Sequence, residues 1–239
     1  MSQKTILRVA ALISGISGIV ILTGVIYPIV LYNTTYSKNY TKLVSPVNGS
    51  TTNATVTNPT QNVLGSSASG QSDTDASTWF TGGATKEDFG SSSINYYTLT
   101  IPKLDIDGAT VAIGGDDLDK SLIQYPGTAL PGKRGNAVIF GHSVLPLYNN
   151  PKSYRSIFTM LPTLTIGDQI FVNYDGVSYT YKVETMFEVL PTDIQVLDQD
   201  SSDSFLTLVT CVPPGDPWDP KRLIVRARVV PPNQNTNID

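Results

Sequence analysis

One cysteine and one histidine occur among the 239 residues, and each ends an apolar run: Cys211 in "FLTLVTC" and His142 in "AVIFGH". A thiol is a nucleophile only as the thiolate, and a neighbouring imidazolium or guanidinium lowers its pKa. A Cys–His pair of this kind forms acyl-enzymes. Arg222 opens the next apolar run, "RLIVRARVV", where a guanidinium can stabilise the oxyanion of a tetrahedral intermediate. Singly, each residue has a plainer reading. A lone Cys is more often a small buried hydrophobe, a strand-end His a hydrogen-bonded structural residue, and a strand Arg part of a solvated face. Three of them at the mouths of three strand-like runs point instead to covalent acyl transfer. The single Cys also excludes an intrachain disulfide and a Cys-based zinc site.

Short strands must position these side chains. Runs 96–101, 108–113, 136–142, 205–211 and 222–230 read as strands, and 168–190 as a hairpin turning at Asp175-Gly176. Segment 116–127 reads as a short helix at most, ending at Pro126-Gly127, and 154–164 as one or two helical turns. In 136–142, Ala137 and Ile139 alternate with Val138 and Phe140. In 205–211, Leu206 and Leu208 alternate with Phe205 and Val209. Strands apolar on both faces are covered on both, so these two belong in the middle of a sheet. In 222–230, Leu223, Val225, Ala227 and Val229 face the core, while Arg222, Ile224, Arg226 and Arg228 face away. Many short strands and little helix predict an all-β barrel or sandwich, one domain over 95–232.

The rest of the chain reads differently. Val9–Tyr32 holds no charge, and as a helix it spans about 36 Å, enough to cross a hydrocarbon core of about 30 Å. It is longer than a signal-peptide core and lacks a small-residue cleavage site, so we read an uncleaved transmembrane anchor. Lys4 and Arg8 before it, against Lys38 and Lys42 after it, give a slim preference for 1–8 in the cytoplasm and the remainder outside the cell. Residues 33–94 have the Ser/Thr/Asn/Gly composition of a flexible stalk, with a reach of roughly 40–45 Å, and 233–239 read as a disordered tail. Trp79 and Phe80 interrupt the stalk. We read them as a sticky patch in a linker; the alternative is a short segment docked on the domain over its active site. Sequons at Asn33, Asn39, Asn48 and Asn53 fall in the stalk and matter only in a host with N-glycosylation. With 16 Lys and Arg against 20 Asp and Glu, there is no basic stripe for phosphate backbones, which excludes nucleic acid as a partner.

"LTLVTC" resembles the sortase signature T-L-x-T-C, here at 207–211. "RLIVR" (222–226) resembles the strand carrying that family's active-site Arg, and "FGHS" (140–143) its His segment. "IPKLDIDGATV" (101–111) is similar to its opening strand pair. The order His, Cys, Arg is the family's, and the resemblance covers roughly 95–230. It implies a closed eight-stranded β-barrel and a membrane-tethered cysteine transpeptidase that cuts an L-P-x-T-G-like sorting signal after its Thr. Carried over, Cys211 attacks the Thr carbonyl and holds the acyl group as a thioester. His142 protonates the leaving amine, and Arg222 positions substrate and stabilises the oxyanion. Thr210 orients substrate or shapes the oxyanion site. The acceptor amine belongs to a cell-wall precursor or a pilin lysine.

Two alternatives stay open: a thiol hydrolase on the same scaffold, and a non-enzymatic anchored adhesion domain. Asp216-Pro217-Trp218 is similar to the lid motif of pilin-polymerising sortases. It lies after Cys211 rather than before the barrel, so the lid role does not transfer, and the proline-rich loop 212–221 is expected to wall the groove. Some sortases bind Ca²⁺ through carboxylates on two loops. Asp116, Asp117 and Asp119, with Glu188, Asp193, Asp198 and Asp200, carry the oxygens for it. We read them as a solvated acidic surface and expect no cofactor.

Overall fold

A computed structural model describes residues 3–40, 74–90, 95–216 and 221–231. Eight strands form its centre: β1 (Asn95–Ile101), β2 (Ile106–Ile113), β3 (Leu122–Gln124), β4 (Gly135–Phe140), β5 (Gln169–Tyr174), β6 (Val177–Val189), β7 (Ser204–Val212) and β8 (Lys221–Val229). They close into a barrel in the order β1-β2-β3-β4-β7-β8-β6-β5. The pairs β2·β3 and β4·β7 are parallel and the others antiparallel. The hairpin β5–β6 turns at Asp175-Gly176, both at positive φ (52° and 73°), as a tight two-residue connection requires.

Segment 116–127 is not helical. The short parallel strand β3 pairs with Val111–Ile113 of β2 through Leu122–Gln124, and three residues are too few to show alternation. The loop from β2 to β3 starts at Gly114 and Gly115, at φ 84° and 98°, which side-chain-bearing residues rarely adopt. Segment 154–164 is a run of turns ending in the 3₁₀ helix Leu161–Thr163, because Pro162 denies a longer helix its hydrogen bond.

The two-faced strands are covered on both faces. Ala137, Ile139, Leu206 and Leu208 fill the barrel with Leu223, Val225 and Ala227. Val138, Phe140, Val209 and Ile224 point outward into a second core. That outer core is completed by residues expected in the stalk: Ala76, Trp79, Phe80 and Phe89. The described part of the expected stalk is therefore packed structure. Residues 74–90 carry a 3₁₀ turn (Ala76–Thr78) and a short helix, α2 (Lys86–Phe89), capped by Thr85 and Asp88. The expected stalk between 41 and 73 lies outside the described residues.

At the N-terminus, α1 (Gln3–Leu31) is long and apolar enough to cross a membrane. Its helical path continues through Tyr32–Tyr36 and Ser37–Asn39. Here too the described start of the expected stalk is docked: the Tyr40 hydroxyl donates to the Pro162 carbonyl at 3.0 Å, and just before the stalk the Tyr32 hydroxyl donates to Glu188 Oε1 at 2.6 Å. Tyr32 joins the core of the barrel.

Gly141, between β4 and His142, has no room for a side chain. A Cβ there would lie 2.5 Å from Phe158 Cδ2 and 2.6 Å from Leu122 Cδ2, both in fully buried residues. Gly141→Ala should therefore destabilise the domain by about 1–3 kcal/mol, the usual cost of overpacking. Urea unfolding measures this, and an unchanged midpoint would contradict the packing.

Candidate active site

Register brings the three candidate residues together. In β7·β8, Cys211 lies directly opposite Arg222. In the parallel pair β4·β7, Phe140 lies opposite Val209, so the same register carried two residues further sets His142 beside Cys211. Alternation along each strand turns all three side chains to the outer face, where Phe140, Val209 and Ile224 also point. The Arg222 guanidinium donates from Nη1 to Cys211 Sγ at 3.4 Å. A fixed cation at that range favours the thiolate.

His142 is held from both sides. The Gly141 amide donates to the Val209 carbonyl (3.1 Å), and the Phe158 amide to the His142 carbonyl (2.9 Å). The Ser143 hydroxyl donates to the Cys211 carbonyl at 2.6 Å, tying the histidine segment to the nucleophile's own peptide. Ser143 sits in the "FGHS" segment, but nothing in its residue type announced this link.

Thr210 is not brought into the cleft. It faces the barrel interior, opposite Leu223, with no exposed surface, and its hydroxyl donates to the Gly141 carbonyl at 2.8 Å. Neighbouring strand residues point to opposite faces, so the residue next to the nucleophile cannot offer its side chain to the same substrate. Thr210 instead clamps the end of β4 to β7.

Arg226 and Arg228 share the outer face but serve elsewhere. Both lie over the Phe205 ring, at 4.9 and 5.0 Å, and Arg228 pairs with Glu184 and Asp203. Arg222 is 7% exposed, and its cover is the segment 74–90. Its Nε donates to the Trp79 carbonyl at 3.2 Å, and its Cζ lies 5.3 Å from the Trp79 ring centre. The indole stacks on Phe140 (5.3 Å, 13° between planes) and stands 5.7 Å from the imidazole of His142. The segment thus lies over the site, the reading of Trp79 and Phe80 that the linker composition did not favour. Two large aromatics outweigh the polar residues around them, since each fully buried one contributes roughly 1.5–3 kcal/mol.

The loop between β2 and β3 fastens this cover. Asp116 accepts from the Ser77 amide and hydroxyl at 2.7 and 2.8 Å, and the Leu118 amide donates to the Thr74 carbonyl. Most of the carboxylates considered for Ca²⁺ have other partners. Asp117 pairs with Lys120, which holds its carboxyl below the usual range. Asp119 pairs with Arg155, Glu188 with Tyr32 and Lys221, and Asp193 accepts from the Leu190 amide. Among the described residues, no group of three or more His, Cys, Asp or Glu gathers as a metal site. Of the loop after Cys211, Pro213–Asp216 are described, with Gly215 against Leu145. Pro217–Pro220 lie outside the described residues.

Comparison with known proteins points to one family. A family model described as the sortase domain matches residues 99–230. Sortase A of Streptococcus agalactiae serotype III (strain NEM316) is 26% identical over 117 residues, 49% of this chain and 45% of that protein. Among solved structures, sortase A from Corynebacterium diphtheriae is similar at 30% identity and a TM-score of 0.50, over 59% of this chain and 62% of that one. A lid mutant of the Corynebacterium protein gives 29% and 0.50, over 61% and 75%. The chain spans a little under half the length of its curated relative.

Trp79 packs on Phe140, His142 and Arg222 beside the thiol, which is itself only half-buried. Trp79→Ala removes the stacked ring, a loss of several kcal/mol in a packed site, and each 1.4 kcal/mol of weakened closure is a factor of ten in the open population. Alkylation of Cys211 by iodoacetamide should accelerate at least about tenfold, read by intact-protein mass spectrometry. An equal rate in both proteins would show that the thiol is reached without the segment moving.

Proposed function

The chain belongs to the sortase family, and on that premise we propose that it is a cysteine transpeptidase acting on sorting signals of L-P-x-T-G type. The observation that carries this reading is the Arg222–Cys211 contact at 3.4 Å, with His142 on the adjoining strand end. An inert core cysteine has no use for a buried guanidinium at its sulfur. The non-enzymatic adhesion reading leaves that arrangement without a purpose.

In the proposed reaction the Cys211 thiolate attacks the carbonyl carbon of the sorting-signal Thr. The carbonyl electron pair moves onto oxygen, where Arg222 stabilises it. As the intermediate collapses, the C–N bond breaks, His142 gives its proton to the leaving amine, and a thioester remains on Sγ. An acceptor amine then attacks the thioester and loses its proton to His142, and the thiolate departs. The Trp79 carbonyl already takes a hydrogen bond from Arg222 Nε, so the cover occupies a donor that a substrate carbonyl would use. Segment 74–90 therefore acts as a lid that must leave before peptide binds. The lid of the Corynebacterium relative is a parallel in support.

The uncharged run 9–32, most of it in α1, would anchor the enzyme in the cell membrane with 33–239 outside. Protease added to intact cells should then remove the domain and leave a small protected N-terminal fragment. A domain cut only after lysis reverses the orientation.

The decisive experiment incubates the full chain in detergent with a sorting peptide and an amine, followed by mass spectrometry. We expect a thioester adduct on the wild type and none on Cys211→Ala. Added amine should divert product from acid to amide; acid alone would favour the hydrolase. Arg222→Lys should lose about 10²–10³ in kcat, the usual cost of an oxyanion donor, because an ammonium cannot replace the planar fork. Arg228→Lys, out over Phe205, should keep its rate, and its losing the rate instead would move the assignment.

A further inference from the structure

We propose that Asp119 is a positioning residue for His142, acting through charge to keep the imidazole protonated beside the thiolate. This rests on the transpeptidase reading for its purpose, but not for its geometry. Asp119 Oδ1 lies 4.0 Å from His142 Nε2. That is an ion-pair distance, beyond hydrogen-bonding range. Both side chains are largely shielded, 13% and 24% exposed for His142 and Asp119, where opposite charges interact more strongly than in open water.

The carboxylate is held in place. Arg155 binds its other oxygen, Oδ2, through Nε at 3.0 Å and Nη2 at 2.6 Å. The Asp119 amide donates to Asp117 Oδ1 at 3.0 Å. With Oδ2 taken by Arg155, Oδ1 is left toward the imidazole.

The site needs this negative charge. Arg222 sits 3.4 Å from Cys211, and a fixed guanidinium opposes a second cation on the other side of that sulfur, past the end of β4. The charged and titratable groups that the described residues place by His142 include Arg222 on β8, Cys211 on β7, and Asp117 and Asp119 on the β2–β3 loop, with Arg155 behind Asp119. The lid presents the neutral Trp79 ring. Asp117 also feels the His142 charge but is engaged by Lys120 at 2.9 Å. Asp119 is therefore the carboxylate placed to offset Arg222. It lets thiolate and imidazolium exist together, and the imidazolium is the form that protonates the leaving amine. The same loop fastens the lid through Asp116, so one element both covers the site and sets its charge.

The chain holds one histidine, so a histidine-labelled sample gives a single imidazole resonance. The test is an NMR pH titration of the full chain in micelles, in a Cys211→Ala background that removes the coupled thiol. Adding Asp119→Asn, which keeps shape and removes charge, should lower the imidazole midpoint by about one pH unit. The sign follows from losing an anion that favours the protonated ring. Asp119→Glu should restore most of it, and Asp117→Asn should move it less than Asp119→Asn. With Cys211 present, Asp119→Asn should shift the alkaline limb of the kcat/KM profile down by a similar amount, while the melting curve stays near wild type. An unmoved midpoint in Asp119→Asn, or an equal shift in Asp117→Asn, overturns the proposal. If the midpoint moves but no peptide is turned over by the parent, the pair stands and the transpeptidase reading falls. If the parent turns over and the midpoint is fixed, the reverse holds.

Discussion

The contact between Arg222 and Cys211 exists because β7 and β8 pair antiparallel with those two residues opposite each other. A slip of one residue would turn Arg222 to the other face and put Leu223 beside the sulfur. The barrel prevents that slip. β8 is locked on its other edge to β6, with Val189 opposite Arg222, and β7 is locked to β4 through six consecutive partners. Closure leaves no free edge on which a strand could slide. The catalytic geometry is thus a property of the sheet as a whole. The side chains then need only ordinary rotamers to meet, and Thr210, Ser143 and Gly141 trim the last degrees of freedom at the strand ends.

The same register creates a second demand. Putting reactive residues on the outside of a barrel places Val138, Phe140, Val209 and Ile224 there as well. A contiguous apolar patch of this kind does not remain bare on a soluble domain. The cover satisfies it with Trp79 and Phe80, while the Trp79 carbonyl accepts from Arg222. On the proposed reading, a substrate displacing this cover would have to replace both, which favours an extended peptide with apolar side chains and a free carbonyl. Cover and substrate share one recognition chemistry.

What could be read from the sequence follows from how local each signal is. Cys211, His142 and Arg222 stood out because two are unique residue types and all sit at strand ends. The two-faced runs 136–142 and 205–211 placed their strands in mid-sheet from alternation alone. β3 was missed because its pairing depends on the return of the chain alongside β2, which no three-residue window shows. The role of Thr210 was misjudged because adjacency in sequence was weighed above alternation in a strand. The docking of Trp79 was not favoured because composition averages over a window, whereas burial is decided by a few aromatic residues meeting a distant surface. Asp119 looked like one acid among several. Only the arrangement in space separates it from Asp117, through the different cations that each one meets.

The N-terminal helix bears on how the site meets its substrates. The path beyond α1 stays helical to Asn39, and Tyr32 binds Glu188 at 2.6 Å. Glu188 adjoins Val189, whose ladder partner is Arg222. The end of the apolar helix therefore seats against the barrel one residue along β6 and one strand across from Arg222. With α1 in the bilayer as proposed above, the reactive thiol has a set height close to the membrane surface. Adjacent strands lie only about 5 Å apart, so the Tyr32–Glu188 contact is near the site. A sorting signal held near the membrane by its own protein would then approach a site whose distance and orientation are already fixed. Fixing them beforehand removes part of the orientational entropy that a freely tethered enzyme loses at each encounter.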